Sequence, residues 1–157
     1  MNAADQLEIR DLTARFTDAV NRAASADLAG LFIDDGAWHV PGLPPVVGHA
    51  AIAAQLDSLL DNFTHLVQLT HSGHVEVDGD DASAVWYITE SAEDTAGNAH
   101  LFTGVYTDRL THTAPGWRFR ERSFAFLHRT RTPANGKWYP HPGAAQPGRL
   151  GSSSRNS

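Results

Sequence analysis

Cysteine is absent from all 157 residues, which excludes a disulfide framework, a thiol nucleophile, a cysteine-ligated zinc and an iron–sulfur cluster. Long apolar runs are missing too: no stretch approaches the roughly 20 residues that cross a bilayer, so a membrane is not an expected partner. Cationic charge is scarce, with 12 Lys and Arg against 18 Asp and Glu and a net charge of −6. Neither a nucleic-acid backbone nor an anionic lipid surface is therefore expected as a target. The opening segment, Met1 to Glu8, has neither the basic nor the apolar block of a secretion signal, which makes the cytoplasm the expected location. There is no Gly-rich phosphate loop, no Gly-x-Ser-x-Gly elbow and no pair of histidines at the helical spacing that binds zinc. No metal and no cofactor are expected.

What is present fits one domain of ordinary size, with 41 % hydrophobic and 19 % charged residues. From Asp5 to about Ala23, Leu7, Ile9, Leu12, Phe16, Ala19, Val20 and Ala23 recur at three- and four-residue steps, which predicts an amphipathic helix. A short helix is expected over Ser25 to Phe32 with Ser25 as cap, a short strand over Ala37 to Val40, and a further helix over Gly48 to Asn62. Strand-like runs follow at about 64–78, 83–94, 99–113 and 116–128, divided by turn sequences such as Asp78-Gly79-Asp80-Asp81 and Ala96-Gly97-Asn98. Helices followed by an antiparallel meander predict an α+β fold, with helices covering one face of a curved sheet. The domain is expected over residues 1–130. Residues 131–157 read as a Pro/Gly/Ser-rich tail, in which Lys137 to His141 packs back through Trp138 and Tyr139, over a pocket mouth or a dimer interface, with order fading after about Leu150.

Side chains alternate along a strand, so each run can be sorted into two faces. Between His65 and Val77 the odd positions are the apolar ones, which sets His65 and His71 toward the core and His74 toward solvent unless a bulge at Gly73 breaks the register. In the last strand Trp117, Phe119, Glu121, Ser123, Ala125 and Leu127 share one face, against Arg118, Arg120, Arg122, Phe124, Phe126 and His128. Glu121 is then a carboxylate among apolar neighbours, either half of a buried pair or a tuned acid or base. Glu90, sharing a face with Trp86 and Ile88, poses the same question. His39, between Trp38 and Val40 beside a Pro-rich loop, suits a pocket rim. The plainer readings are core histidines bonded to backbone, a Glu121–arginine ion pair, and aromatic residues that only fill the core.

Several phrases, Leu31-Phe32-Ile33-Asp34-Asp35-Gly36-Ala37-Trp38, Gly48-His49-Ala50-Ala51-Ile52, Val75-Glu76-Val77-Asp78-Gly79-Asp80-Asp81-Ala82 and Gly104-Val105-Tyr106-Thr107-Asp108-Arg109-Leu110 with Gly116-Trp117-Arg118, resemble one superfamily over about residues 5–128. It is that of the cone-shaped NTF2-like domains, and within it the SnoaL-like relatives of polyketide cyclases, scytalone dehydratase and ketosteroid isomerase. The resemblance implies a hollow cone with a small hydrophobic molecule in its apolar pocket and acid–base groups on its walls. It also implies departures. The positions of an Asp–His dyad fall at Arg15 and Gln68, a ketosteroid-isomerase-type base falls at His39 or Val40, and the matching oxyanion-donor tyrosine is replaced by Phe16.

The reading that results is a cofactor-free acid–base enzyme of cyclase, isomerase or dehydratase type, acting on a small, mostly apolar cyclic or polyketide-like molecule. His71 and His39 are the candidate acid and base with Glu121 coupled to them, and Trp38, His65, Trp86, Phe16 and Tyr106 are the pocket walls. The alternative is a non-catalytic binding or accessory protein of the same fold. A homodimer is expected through the open sheet face, with Arg118, Arg120, Arg122, Phe124 and Phe126 upon it.

Overall fold

In the computed structural model, described over residues 2–144, the chain folds into three helices and six strands. Helix α1 (Ala3–Asn21) starts ahead of Asp5 because the Asn2 side chain accepts from the Ala4 N–H at 3.0 Å and caps it. Its stripe of Ile9, Leu12, Phe16, Ala19 and Val20 is buried. Helix α2 (Ser25–Ala29) opens at Ala24 with no side-chain cap, so Ser25 is its first residue and not its cap. Strand β1 (Phe32–His39) begins earlier than the pattern suggested, because it pairs alongside the last strand, where the Phe119 N–H donates to the Leu31 carbonyl at 2.9 Å. Then come β2 (Val46–Val47), α3 (His49–Leu60), β3 (Phe63–Asp78), β4 (Asp81–Asp94), β5 (Asn98–Thr113) and β6 (Gly116–Pro133).

The strands form a single sheet in the order β2-β1-β6-β5-β4-β3, parallel only between β1 and β6. The three helices cover its inner face. Phe16 of α1 is the hub there, meeting Phe32, Trp38, Tyr106 and Phe119 edge-on with ring centroids 5.5–6.4 Å apart. No helix among the described residues is long and apolar enough to cross a membrane. At the β4–β5 turn Asp94 accepts from the Ala96 and Asn98 N–H groups and meets His100 Nε2 at 2.7 Å. Those bonds, the one from His100 foremost, hold its carboxyl far below the usual range.

Two of the long strands change face partway along. In β3, Thr70 pairs with Ile88 and Gly73 with Trp86, so His71 and Ser72 together oppose Tyr87. Inward side chains are therefore Leu66 and Gln68 before the bulge and Val75 after it. This corrects the face expected of two histidines. His71 is exposed on the outer side, 2.7 Å from Thr89 Oγ1, and His65 also points outward. Gly73 suits the bulge, since a Cβ there would collide with the Trp86 ring and the Val85 carbonyl.

In β6 Arg120 is an extra residue between Phe119 and Glu121, and Leu127 another between Phe126 and His128. Trp117 and Phe119 face in, then Arg122, Phe124 and Phe126, then Arg129. Glu121 turns out to the half-open surface, again the reverse of the expectation. Arg122, Phe124 and Phe126, all expected on the open face, turn inward instead: Phe124 and Phe126 line a cavity, and Arg122 is completely buried, with its guanidinium 3.9–4.5 Å from the centroids of Tyr106, Phe16 and Phe119 and Nε 3.2 Å from Asp108 Oδ1. Burial pushes the Asp108 carboxyl up to about 6, although the Arg122 charge draws it down.

The tail returns to the outer side of the sheet. Trp138 stacks on His65, with centroids 5.1 Å apart and planes 9° apart, and donates from Nε1 to Glu93 Oε2 at 3.1 Å. Tyr139 is 72 % exposed, so only one of the two neighbouring aromatics is covered. The expectations of packing to about 150 and of disorder beyond Leu150 lie outside the described residues.

Candidate functional site

Between α3, the loop after β1 and the inner face of the sheet lies a cavity of about 280 Å³, close to the lower end of ligand pockets. Its walls are mostly apolar, from Trp38, Leu56, Leu60, Phe63, Phe124 and Phe126 among others. The sheet register sets four further lining residues in one transverse row. Gln68 of β3 pairs with Glu90 of β4, Glu90 with Phe102 of β5, and Phe102 with Arg129 of β6. An amide, a carboxyl, a phenyl ring and a guanidinium thus stand side by side on the wall.

Glu90 is the distinctive group of this row. Removal from water among apolar neighbours pushes its carboxyl up to about 7, opposed only by a bond from Gln68 Nε2 to Oε1 at 3.4 Å. The same Gln68 amide donates to the Tyr106 hydroxyl at 3.5 Å. Burial raises the Tyr106 phenol, against the nearby Arg122 charge and with some help from Glu90, so it stays protonated at neutral pH and can donate. Gln68 is itself fixed by α1: its N–H donates to Asn21 Oδ1 at 2.7 Å, and Asn21 Nδ2 donates to its carbonyl at 2.9 Å. A carboxyl half ionised near pH 7, flanked by an amide and a phenol inside an apolar hole, can exchange a proton with a bound molecule while those neighbours bond to its oxygen atoms.

Of the residues singled out by sequence, Trp38 and Tyr106 line the cavity. Phe16 and Trp86 are buried in the core behind its walls and do not line it. His39 and Glu121 do meet, Nε2 to Oε1 at 3.2 Å, but as a partly exposed pair on the outer side of the sheet. His65 is under Trp138, and His71 lies elsewhere on the outer face. Glu90 was signalled by the face it shares with Trp86 and Ile88. Arg129 was not singled out, although alternation from Trp117 and Phe119 also points it inward, because the bulges at Arg120 and Leu127 cancel by that point. Arg15, which the resemblance set at a dyad position, is exposed and paired with Asp11 at 2.8 Å; the α1 residues that meet Gln68 are Thr17, at its side chain, and Asn21, at its backbone. Away from the cavity, Asp5, Glu8 and His112 bring one ligand atom each within 4.8 Å of one another, but Asp5 and Glu8 already accept from the Trp117 side chain and backbone N–H.

Residues 1–123 match the SnoaL-like domain family. The chain belongs to that family. Among solved structures, this SnoaL-like protein is similar to an NTF2-like protein with a cystatin-like fold from Novosphingobium aromaticivorans, at 27 % identity and a TM-score of 0.70 over 79 % of this chain and 82 % of that one. In fold it is similar to a type 2 hexachlorocyclohexane dehydrochlorinase, at 20 % identity and TM-score 0.74 over 86 % and 92 %. It is similar likewise to the type 3 enzyme of Novosphingobium barchaimii, at 19 % and 0.74 over 85 % and 92 %. No curated protein matches the chain by sequence.

Proposed function

We propose that this SnoaL-like protein is a cofactor-free acid–base enzyme of the lyase or isomerase type, acting in the cytoplasm on a small, mostly apolar cyclic or polyketide-like molecule held in the cavity. The observation that carries the reading is Glu90: a carboxyl near half ionisation at neutral pH, beside Gln68 and Tyr106, in an otherwise apolar space. Its ionised form accepts a proton from an activated carbon and its neutral form returns one, while Tyr106, whose hydroxyl accepts from the Gln68 amide, donates to the oxygen on which charge develops. Elimination from a cyclic apolar substrate, named for two neighbours in fold, is chemistry of the same kind.

An enolisable ring ketone supplies the test. The wild type is expected to accelerate deuterium exchange at the α-carbon of 2-tetralone, with a rate that rises through pH 7. Glu90→Gln is expected to lose about 10²-fold or more of that acceleration. A second reading, ligand binding without turnover, is favoured by the absence of the Asp–His dyad that the resemblance implies, since its two positions fall at Arg15 and Gln68. It is the reading that survives if 2-tetralone binds and exchanges no faster than in buffer. For assembly, the outer sheet face, with exposed Val67, Leu69, Tyr87, Leu101 and Leu127, fits a second copy of the chain and supports a homodimer.

A further inference from the structure

We infer that Arg129 is a carboxylate-binding subsite at the cavity mouth, so that the ligand is a cyclic carboxylic acid whose ring lies over Phe102 with its far edge at Glu90. The inference rests on the cavity being the ligand site, as proposed above. Three observations carry it. Arg129 lines the cavity, yet no carboxylate among the described residues lies within ion-pair distance of its guanidinium. Its position is built: the guanidinium lies 4.6 Å from the Phe126 centroid and 5.7 Å from that of Phe102, both of them wall residues. Stacking of this kind uses the faces of the cation and leaves the N–H groups at its edge free for a planar, two-oxygen acceptor.

The third observation is the row itself. Glu90, Phe102 and Arg129 are cross-strand partners, so at about 4.8 Å per strand the backbones of acid and cation are about 10 Å apart with a phenyl ring between them. That ring is a stacking surface, and the two ends differ: a proton-exchanging group at one, a fixed cation at the other. A neutral hydrocarbon would have no use for the cation, and a polyanion would find only one. The net charge of the chain, −6, repels anions in general, so recognition of a carboxylate has to come from this local group and not from the overall field.

Two probes of one shape, 2-naphthoate and its neutral amide 2-naphthamide, test the subsite by calorimetry. The wild type is expected to bind the acid about tenfold or more tightly than the amide, a difference of about 1.4 kcal/mol, and the preference should shrink with added salt. Arg129→Gln, at an exposed position where folding is not at risk, is expected to bring the two affinities within about twofold by weakening the acid alone. Equal binding of acid and amide by the wild type, retention of the preference in Arg129→Gln, or binding of neither probe overturns the inference. Failure of the enzymatic reading looks different: 2-tetralone exchange is absent while the naphthoate preference and its loss in Arg129→Gln persist.

Discussion

Glu90→Gln makes a prediction about stability as well as turnover, and it needs no substrate. The carboxyl rises from an ordinary 4.5 to about 7 on folding, so between those values the folded chain holds a proton that the unfolded chain has released. Stability linked to this group is therefore full below about pH 4.5, falls as pH rises through the interval, and reaches its lowest level above 7. At about 1.4 kcal/mol per pH unit, ionising Glu90 in place costs on the order of 3 kcal/mol, an upper figure because the side chain keeps some surface toward the cavity. Gln removes the titration and keeps the shape. Urea unfolding of wild type and variant should give closely similar free energies near pH 4.5 and a variant more stable by about 2–3 kcal/mol at pH 8. A difference that stays flat across this range, or a variant that loses ground as pH rises, would refute the account of Glu90 as a desolvated acid.

Arg122→Met should cost about 3–5 kcal/mol by stranding the Asp108 carboxylate in the core, and adding Asp108→Asn should recover most of that; equal losses in single and double variants on urea unfolding would sink the pairing. Trp138→Ala should let the His65 imidazole, now depressed chiefly by burial, rise toward 6.5, as followed by the NMR titration of its ring proton. Since the folded state disfavours that proton, the Trp138 contact should also weaken as pH falls, and an unmoved titration would mean that the tail does not cover His65 in solution. The wild type should scatter light as twice 17.0 kDa, and Leu69→Asp with Tyr87→Asp should halve the mass; a monomeric wild type ends the proposal that the outer face pairs with a second copy.

How far the sequence could be read depended on which strand a residue occupied. The spacing of Ile9, Leu12 and Phe16 fixed α1, and Gly79, Gly97 and Gly116 marked turns whose φ angles of +60°, +85° and +117° suit glycine. In β4, which runs Ala84, Trp86, Ile88, Glu90 without interruption, plain alternation assigned the correct face, and Glu90 was recognised as a carboxylate in apolar company. In β3 and β6 the same rule misassigned His65, His71, Glu121 and Arg122, because one inserted residue inverts everything beyond it. Gly73 was a visible hint. Arg120 was not, since it sits in an Arg-Phe-Arg-Glu-Arg run whose alternation looks unbroken. The cavity volume and the Gln68–Asn21 contact arise from tertiary packing, and no local pattern encodes them.

The bulged residues also give these strands slack. In a regular strand, losing one residue turns every side chain beyond the cut to the opposite side, and selection sees a ruined core. In β6 a deletion near Arg120 or Leu127 can be absorbed by drawing the spare residue into the ladder, which leaves Arg122 in the core and Phe124 and Phe126 facing the cavity, and removes only a local bend. The wall of this pocket can therefore change its curvature, and so the shape of what it admits, by a change of chain length that alters none of its lining side chains.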